Sequence, residues 1–501
     1  MEKYNGLFLK YNFDDINFYL YDYDSNLLYK TNDEFELIEE LRQNYKNNII
    51  WCYDLRIEGS FILKILMKLN YRFTKNKKIN NGEYSYLING NGDWFFIKYK
   101  KNNKLVKLYN CHNKIPKIEK ENINGILSIL REFEDNNHNG MTIGSDCFSE
   151  FRKGLDGKYR KIFPELNSIV DSYCRKSYFG GLCICNVKGK VSDGYVYDVH
   201  SMYPYIMKSE YFPYGIPSYF VGEPNFSSDS LYISHIIADF SLKNNHIPNI
   251  MEKGDFDKNY LIYDSEGPKE LFLTSIDLEL FKENYNVYSI SYIDGYIFRR
   301  KKGIFDSYID KYYNIKNNSV KGSGKYKYSK LMINNLGGKL GTKPEGQLKE
   351  LFLDEKNTLS FKKSKIESKK TVYVPAAAFM TSYARKYLIK SIEKVGLEHF
   401  RYCDTDSIHT DIKCDNILNY GDKLGQFGLE SEYKVGVYVG QKQYMIDSEI
   451  KYSGLSDYAK KNNIITIDDF INGIEIEDEV IVQGPNGPEF INKKFKLKGV
   501  K

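Results

Sequence analysis

Short apolar runs that alternate with polar residues open the chain and give way to runs spaced for a helix. Leu7 to Leu9, Phe18 to Tyr21 and Ile49 to Tyr53 predict strands, while Asp33 to Tyr45 and Ser60 to Leu69 carry apolar residues at helical spacing. The strand pattern returns in Tyr84 to Ile88, Trp94 to Tyr99 and Lys104 to Tyr109, separated by Asn-Gly and Lys-Asn turns, which predicts an antiparallel patch. A helix over Ile118 to Phe133 closes this first α/β region, and the polar stretch Glu134 to Gly140 reads as a linker. At 501 residues the chain exceeds what one hydrophobic core serves, so three or more subdomains are expected.

Three later segments carry chemistry. Tyr402-Cys403-Asp404-Thr405-Asp406-Ser407-Ile408-His409 sets two carboxylates one residue apart in a β-prone stretch with no other acid. On a strand or in a tight hairpin both would aim at one side. Carboxylates held that close raise each other's pKa unless a cation lies between them, which points to a divalent ion with hard oxygen ligands, magnesium or manganese. Taken alone, such a pair fits a solvated turn as well. A third acid, Asp198, ends the apolar strand pattern of Val196 to Val199 and precedes a helix start marked by Pro204. In Lys330 to Lys339 an apolar stripe of Leu331, Met332 and Leu336 predicts a helix on which Lys327, Lys330 and Asn334 share another face.

Composition narrows the partners only a little. A formal net charge of +6 permits binding to a phosphate backbone without specifying it. The 45 Tyr and 30 Phe accompany abundant Lys, Asn and Ile, as an AT-rich genome would encode, so most rings read as core or incidental surface rather than base-stacking platforms. Eight Cys without a Cys-x-x-Cys pair read as reduced thiols of a cytoplasmic protein. No basic N-terminal segment leads into an apolar run, and no apolar window reaches bilayer length, so neither secretion nor membrane insertion is expected.

The three segments stand in the order, and with the residue types, of the polymerase motifs of family B DNA polymerases. Tyr178-Phe179-Gly180-Gly181 resembles that family's Tyr-x-Gly-Gly motif and Lys442-Gln443-Tyr444 its Lys-x-Tyr motif. From about Ser172 to the C-terminus the chain resembles the protein-primed branch found in small linear-genome phages. The resemblance implies an α/β and α+β multidomain fold with a ribonuclease H-like, exonuclease-type domain over 1–135 and a linker and template-binding segment over 136–188. A right-hand polymerase follows, with its palm over 189–210 and 372–458, fingers over 304–341 and thumb over 459–501. Two insertions of the protein-primed type occupy 211–303 and 342–371. The second of these falls in a stretch with eight Lys among the thirty residues from Gly341 to Lys370; in the family it is a hairpin that encircles DNA.

The resemblance also implies roles. Asp198 and Asp406 would bridge two Mg2+ ions, with Mn2+ possible; the Val199 carbonyl would complete one site and Asp404 assist from beside it. Lys316 and Lys330 would bind the triphosphate, Asn334 would line the nucleotide pocket, and Tyr203 would act as a steric gate restricting the product to DNA. Ser201, Lys442 and Tyr444 would hold the primer end, and Tyr178, Gly180 and Gly181 the template strand. The partners implied are template and primer DNA, deoxynucleoside triphosphates and a terminal protein, for an enzyme acting as a monomer in the host cytoplasm.

Two departures from the family stand out. Its first exonuclease motif, Asp-Phe-Glu, has no counterpart in Leu7 to Asn12, and its third has none around Asn122 to Gly125. The second survives as Asp54 to Gly59, with Glu58 where a metal-binding Asp belongs. Proofreading is therefore expected to be lost, Asp14, Asp15 and Glu58 being the acids left to rebuild a site. Gly337 stands where the family's helix motif has Tyr, which predicts a less accurate enzyme. Two other readings compete: a family B polymerase that makes its own primer, and a non-catalytic DNA-binding relic, against which the three intact acids argue.

Overall fold

In the computed structural model, which describes residues 6–116, 122–254, 259–368 and 371–500, the first alternating stretches join in one eight-stranded sheet. Its order is Leu27–Thr31, Asn17–Asp22, Leu7–Asn12, Ile49–Cys52, Lys104–Asn110, Trp94–Lys101, Glu83–Ile88 and Arg72–Phe73. The three central strands run parallel and antiparallel hairpins flank them. Parallel neighbours need crossover connections, and the helices Glu34–Asn44 and Leu55–Lys68 lie in the two they use or adjoin. Leu37, Leu41, Ile62 and Leu66 of these helices pack with Ile97, Tyr99, Val106 and Leu108 of the sheet.

Side-chain caps set the helix starts. Asp54 accepts the Arg56 N–H and begins its helix at Leu55, five residues before the start that apolar spacing predicts. Gly59 lies inside that helix because the sheet comes close there; a Cβ would stand 2.7 Å from Ile97 Cδ1. The helix predicted over 118–133 is Ile123–Asp135, capped by Asn122, while residues 118–121 lie outside the described residues.

The stretch read as a linker is held from below. The Lys114 ammonium, fully buried, donates to the carbonyls of His138 at 2.6 Å and Gly140 at 3.0 Å and pairs with Asp146 on the helix Ile143–Gly154. Burial draws the Lys114 pKa below the usual lysine range, and Asp146 opposes that shift.

A seven-stranded antiparallel sheet forms the second centre, in the order Glu449–Tyr452, Gln443–Ile446, Phe427–Gly440, Gly189–Val199, Ser407–Thr410, Phe400–Asp404 and Cys183–Cys185. The helices Met202–Ser209, Asp306–Asn317, Gly324–Leu340 and Val374–Val395 share the core beside it. A four-stranded sheet, Phe212–Val221, Tyr285–Lys301, Leu231–Leu242 and Lys269–Thr274, has its own core with the helix Ser275–Asn284. Three two-stranded sheets complete the described fold: Met251–Lys253 with Asn259–Leu261, Glu345–Leu353 with Leu359–Ser368, and Gly473–Gly484 with Gly487–Lys498. The lysine-rich tail is thus a paired strand, with Lys494 2.9 Å from Glu475. Among the described residues, no helix is long and apolar enough to cross a membrane, and the eight Cys are unpaired.

Replacing Lys114 with Met leaves Asp146 buried without its cation and is expected to lower stability by about 3–5 kcal/mol. A urea titration followed by circular dichroism measures this, and Lys114→Met combined with Asp146→Leu should recover most of the loss.

Candidate active site

The paired carboxylates sit astride a hairpin turn. Asp404 lies opposite Ser407 in the antiparallel register, which leaves Thr405 and Asp406 as the turn. Thr405 has a φ of 64°, in the left-handed region that disfavours a β-branched residue, so neighbouring contacts must hold it there. Its N–H donates to the Leu182 carbonyl at 2.7 Å, and the Asp406 N–H donates to the Asp404 carbonyl at 2.7 Å. The Asp406 carbonyl in turn accepts the Val199 N–H at 2.8 Å. That bond stitches the turn to the end of Gly189–Val199, where Asp198 lies between Ser407 and Gly428 in the sheet.

Two acids are thereby brought into electrostatic contact. Burial, then the charges of Asp406 and Glu430, push the Asp198 carboxyl up to about 7, with Lys330 opposing. Asp404 takes other partners: its Oδ1 accepts the Thr405 hydroxyl at 3.0 Å and lies 3.5 Å from Lys442 Nζ. Asp404 and Asp406 flank the tight turn, and the charges of both reach Tyr203. Among the described residues, no three acid, imidazole or thiol side chains gather as a ready-made metal cluster. The donor chemistry still fits a hard divalent cation, since Asp198 and Asp406 are partly buried carboxylates whose repulsion a cation would relieve.

Two more left-handed residues shape the surroundings. Ser201, with φ 55°, starts the helix Met202–Ser209 without a side-chain cap. Two residues on, Tyr203 is partly buried, and burial raises its hydroxyl pKa; Arg385, Asp406, Tyr178 and Asp404 surround it. Lys442, with φ 57°, donates its N–H to the Tyr402 hydroxyl at 2.9 Å, and the Tyr444 ring lies 4.9 Å from that of Tyr402 and 5.1 Å from that of His409. The Lys442-Gln443-Tyr444 motif is in this way keyed to the carboxylate hairpin.

The Tyr178 to Gly181 segment abuts the same turn. A Cβ on Gly181 would come within 2.8 Å of the Thr405 side chain, so only glycine permits the approach. The carbonyls of Phe179 and Gly180 accept N–H groups of Arg385 at 3.1 and 2.8 Å. Arg385 is buried and pairs with buried Asp277 at 2.7 Å, and Ser382 Oγ donates to the same carboxylate at 2.6 Å. Tyr178 lies against Gly341 at the end of Gly324–Leu340. Sequence reasoning missed Arg385, Asp277 and Tyr402; the available signal was one charge, Arg385, closing the apolar run from Val374 to Ala384.

Lys330 and Lys316 come from neighbouring helices. Burial and the Lys330 charge both lower the Lys316 pKa, so the two ammonium groups stand near one another, and Lys330 is also the cation that offsets Asp198. Lys327, Lys330 and Asn334 line a cavity of about 330 Å3 whose facing wall includes Ile115, Asn122, Ile126 and Ile129. Gly337 faces the helices Met202–Ser209 and Val374–Val395: a Cβ there would meet Met380 Sδ at 2.9 Å and Met207 Cε at 3.2 Å, so two methionines occupy the space beside it.

The acids of the N-terminal region do not assemble. Glu58 is fully buried and accepts the N–H groups of Tyr11 at 2.9 Å and Asp54 at 3.1 Å, while burial raises its pKa far above the usual carboxylate value. Asp14 and Asp15 are exposed on a hairpin turn, where Asp15 engages Tyr19 and Lys30.

Two apposed carboxylates with lysines beside them suit metal-assisted phosphoryl transfer, the chemistry of nucleotide-transferring enzymes. Residues 120–418 match the model of DNA polymerase type B, organellar and viral, and the chain belongs to that family as a DNA-directed DNA polymerase. It is 33% identical, over 80% of its length and 79% of the relative's, to the DNA polymerase of Bacillus phage M2. With the DNA polymerase of Bacillus phage phi29 the identity is 30% over 90% of each chain. Its structure matches phi29 DNA polymerase complexed with primer-template DNA and incoming nucleotide with a TM-score of 0.84 and 26% identity, covering 98% of this chain and 99% of that one. The likeness to the protein-primed branch read from the motifs is borne out.

Because the folded pKa of Asp198 is above its unfolded value, the native state holds a proton that the unfolded chain releases. This group therefore lowers stability progressively as pH rises from 3.8 to about 7. Asp198→Asn is expected to raise the melting temperature of metal-free protein at about pH 8 and to leave it nearly unchanged at about pH 4. Equal shifts at both pH values would contradict the repulsion.

Proposed function

We propose that Asp198 and Asp406 hold the divalent ions of nucleotidyl transfer, Mg2+ in the first place and Mn2+ as a substitute. The observation that carries this reading is the Val199 N–H bond to the Asp406 carbonyl, which apposes two carboxylates until one is pushed up to about 7. Bound there, the ions would promote loss of the primer hydroxyl proton and neutralise charge at the α-phosphate. The Val199 carbonyl adjoins the same position. Asp404 assists at the metal site from the neighbouring position, and Lys442, Tyr444 and Ser201 hold the primer end.

Lys316 and Lys330 supply the fixed positive charge that triphosphate oxygens need, and Asn334 lines the nucleotide pocket. Tyr203 excludes a 2′ hydroxyl. Tyr178, Gly180 and Gly181 hold the template strand between the N-terminal part and the polymerase. Support for DNA and nucleotide as ligands comes from the relative solved with primer-template DNA and incoming nucleotide, and with single-stranded DNA.

The same reading assigns residues 1–135 to a ribonuclease H-like domain without proofreading, which the burial of Glu58 supports. The four-stranded sheet of 211–303 and the hairpin within 342–371 are the two protein-primed insertions, between fingers at 304–341 and palm at 189–210 and 372–458, with the thumb at 459–501. A terminal protein would dock on the first insertion and supply the starting hydroxyl, and the enzyme would work as a monomer in the host cytoplasm.

Asp406→Ala should abolish both primer extension and transfer of labelled deoxyadenylate onto the terminal protein of the same genome, while DNA affinity changes by less than about twofold; synthesis by this variant would refute the assignment. Tyr203→Val should admit ribonucleotides into primer-extension products, and unchanged discrimination on a sequencing gel would remove Tyr203 from the gate.

A further inference from the structure

The face of the eight-stranded sheet turned away from its two helices gathers five lysines. Lys98 and Lys100 lie two residues apart on Trp94–Lys101, and Lys107 stands directly opposite Lys98 in the antiparallel register. Lys77 and Lys78 come from the segment that follows Arg72–Phe73. Together they line a cavity of about 460 Å3. Among the described residues none of the five has an ion-pair partner. The acid opposite Lys100, Glu83, is already bonded to Arg72 and to the Asn80 N–H.

Such a cluster is unfavourable without a ligand. Like charges directly opposite on neighbouring strands destabilise a sheet. Lys98, Lys100 and Lys107 are partly buried on regular strands, so the sheet holds their stems in place; the Lys98 ammonium sits 4.5 Å from the Phe96 ring centroid. Burial and the Lys107 charge both lower its pKa. A polyanion would relieve all of these at once.

We propose that this cavity grips the phosphate backbone of single-stranded DNA outside the polymerase cleft. Residues two apart on a strand are separated by about 6.8 Å, so Lys98 and Lys100 present charge at a repeat that suits successive phosphates of an extended strand. The hairpin Glu345–Leu353 packs against the opposite face of the sheet, where the Leu351 N–H donates to the Tyr86 hydroxyl at 2.7 Å, and so leaves the lysine face uncovered. The proposal does not depend on the carboxylate assignments.

The test uses full-length protein whose cleft is saturated with unlabelled primer-template, and follows a labelled oligothymidylate by fluorescence anisotropy across a salt series. Wild type should bind with a salt slope that falls by about 1.4 in Lys77→Ala/Lys78→Ala and in Lys98→Ala/Lys107→Ala, about 0.7 for each phosphate no longer neutralised. Primer extension on an open template should be unchanged, which separates this site from the polymerase centre. The melting temperature of Lys98→Ala/Lys107→Ala should not fall, because the variant removes a like-charge pair. No oligothymidylate binding by the saturated wild type, or an unchanged slope in both variants, overturns the proposal. So does a loss confined to inorganic tripolyphosphate, which would make the cavity a site for small phosphates.

Discussion

One buried ion pair, Arg385 with Asp277, joins three parts of the chain that sequence order keeps far apart. Asp277 belongs to the helix beside the four-stranded sheet, Arg385 to the long helix Val374–Val395, and the remaining guanidinium donors hold the carbonyls of Phe179 and Gly180. The side chains are 1% and 5% exposed, so water can replace neither partner. A planar guanidinium with carboxylate on one side and carbonyls on another has its donors satisfied, the condition under which a buried charge is tolerated. From Gly180 the contacts continue through Gly181 to Thr405, and from that turn through Asp406 to Val199. The apposition of the two carboxylates rests on this chain of contacts.

Local pattern carried much of the reading and tertiary contact the remainder. The alternating strands of the N-terminal sheet were legible because alternation is a property of neighbouring residues. The start of the helix at Leu55 was not, because the Asp54 cap and the close approach of Ile97 outweigh the apolar spacing that begins at Ser60. Asp198, Asp404 and Asp406 stood out as acids in apolar surroundings, yet the left-handed turn at Thr405 is held by Leu182 and Gly181, which sequence order keeps far away. The Arg385 to Asp277 pair spans 108 residues and leaves no local mark on Asp277. Glu134 to Gly140 has the composition of a tether, but a lysine from position 114 supplies the partners its carbonyls need.

Glu58 serves the scaffold of the N-terminal sheet. Its carboxylate accepts two backbone N–H groups, one from the strand Leu7–Asn12 and one from the helix cap, and so ties helix to sheet. The sheet also supports the hairpin Glu345–Leu353 through the Gly90 N–H, which donates to the Gln347 carbonyl. Beyond the helix Ile123–Asp135, His138 Nδ1 lies 2.9 Å from the hydroxyl of Tyr328 on the lysine-bearing helix, so the N-terminal region braces that helix too.

Where the helix Gly324–Leu340 meets the helices Met202–Ser209 and Val374–Val395, the bare backbone of Gly337 rests on the thioether ends of Met380 and Met207. Unbranched thioether chains rearrange at little energetic cost, and a residue without a side chain offers nothing for them to catch on. The contact therefore resists small shifts of the lysine-bearing helix only weakly. Oxidation of either sulfur to the sulfoxide would make that surface polar and angular and stiffen it.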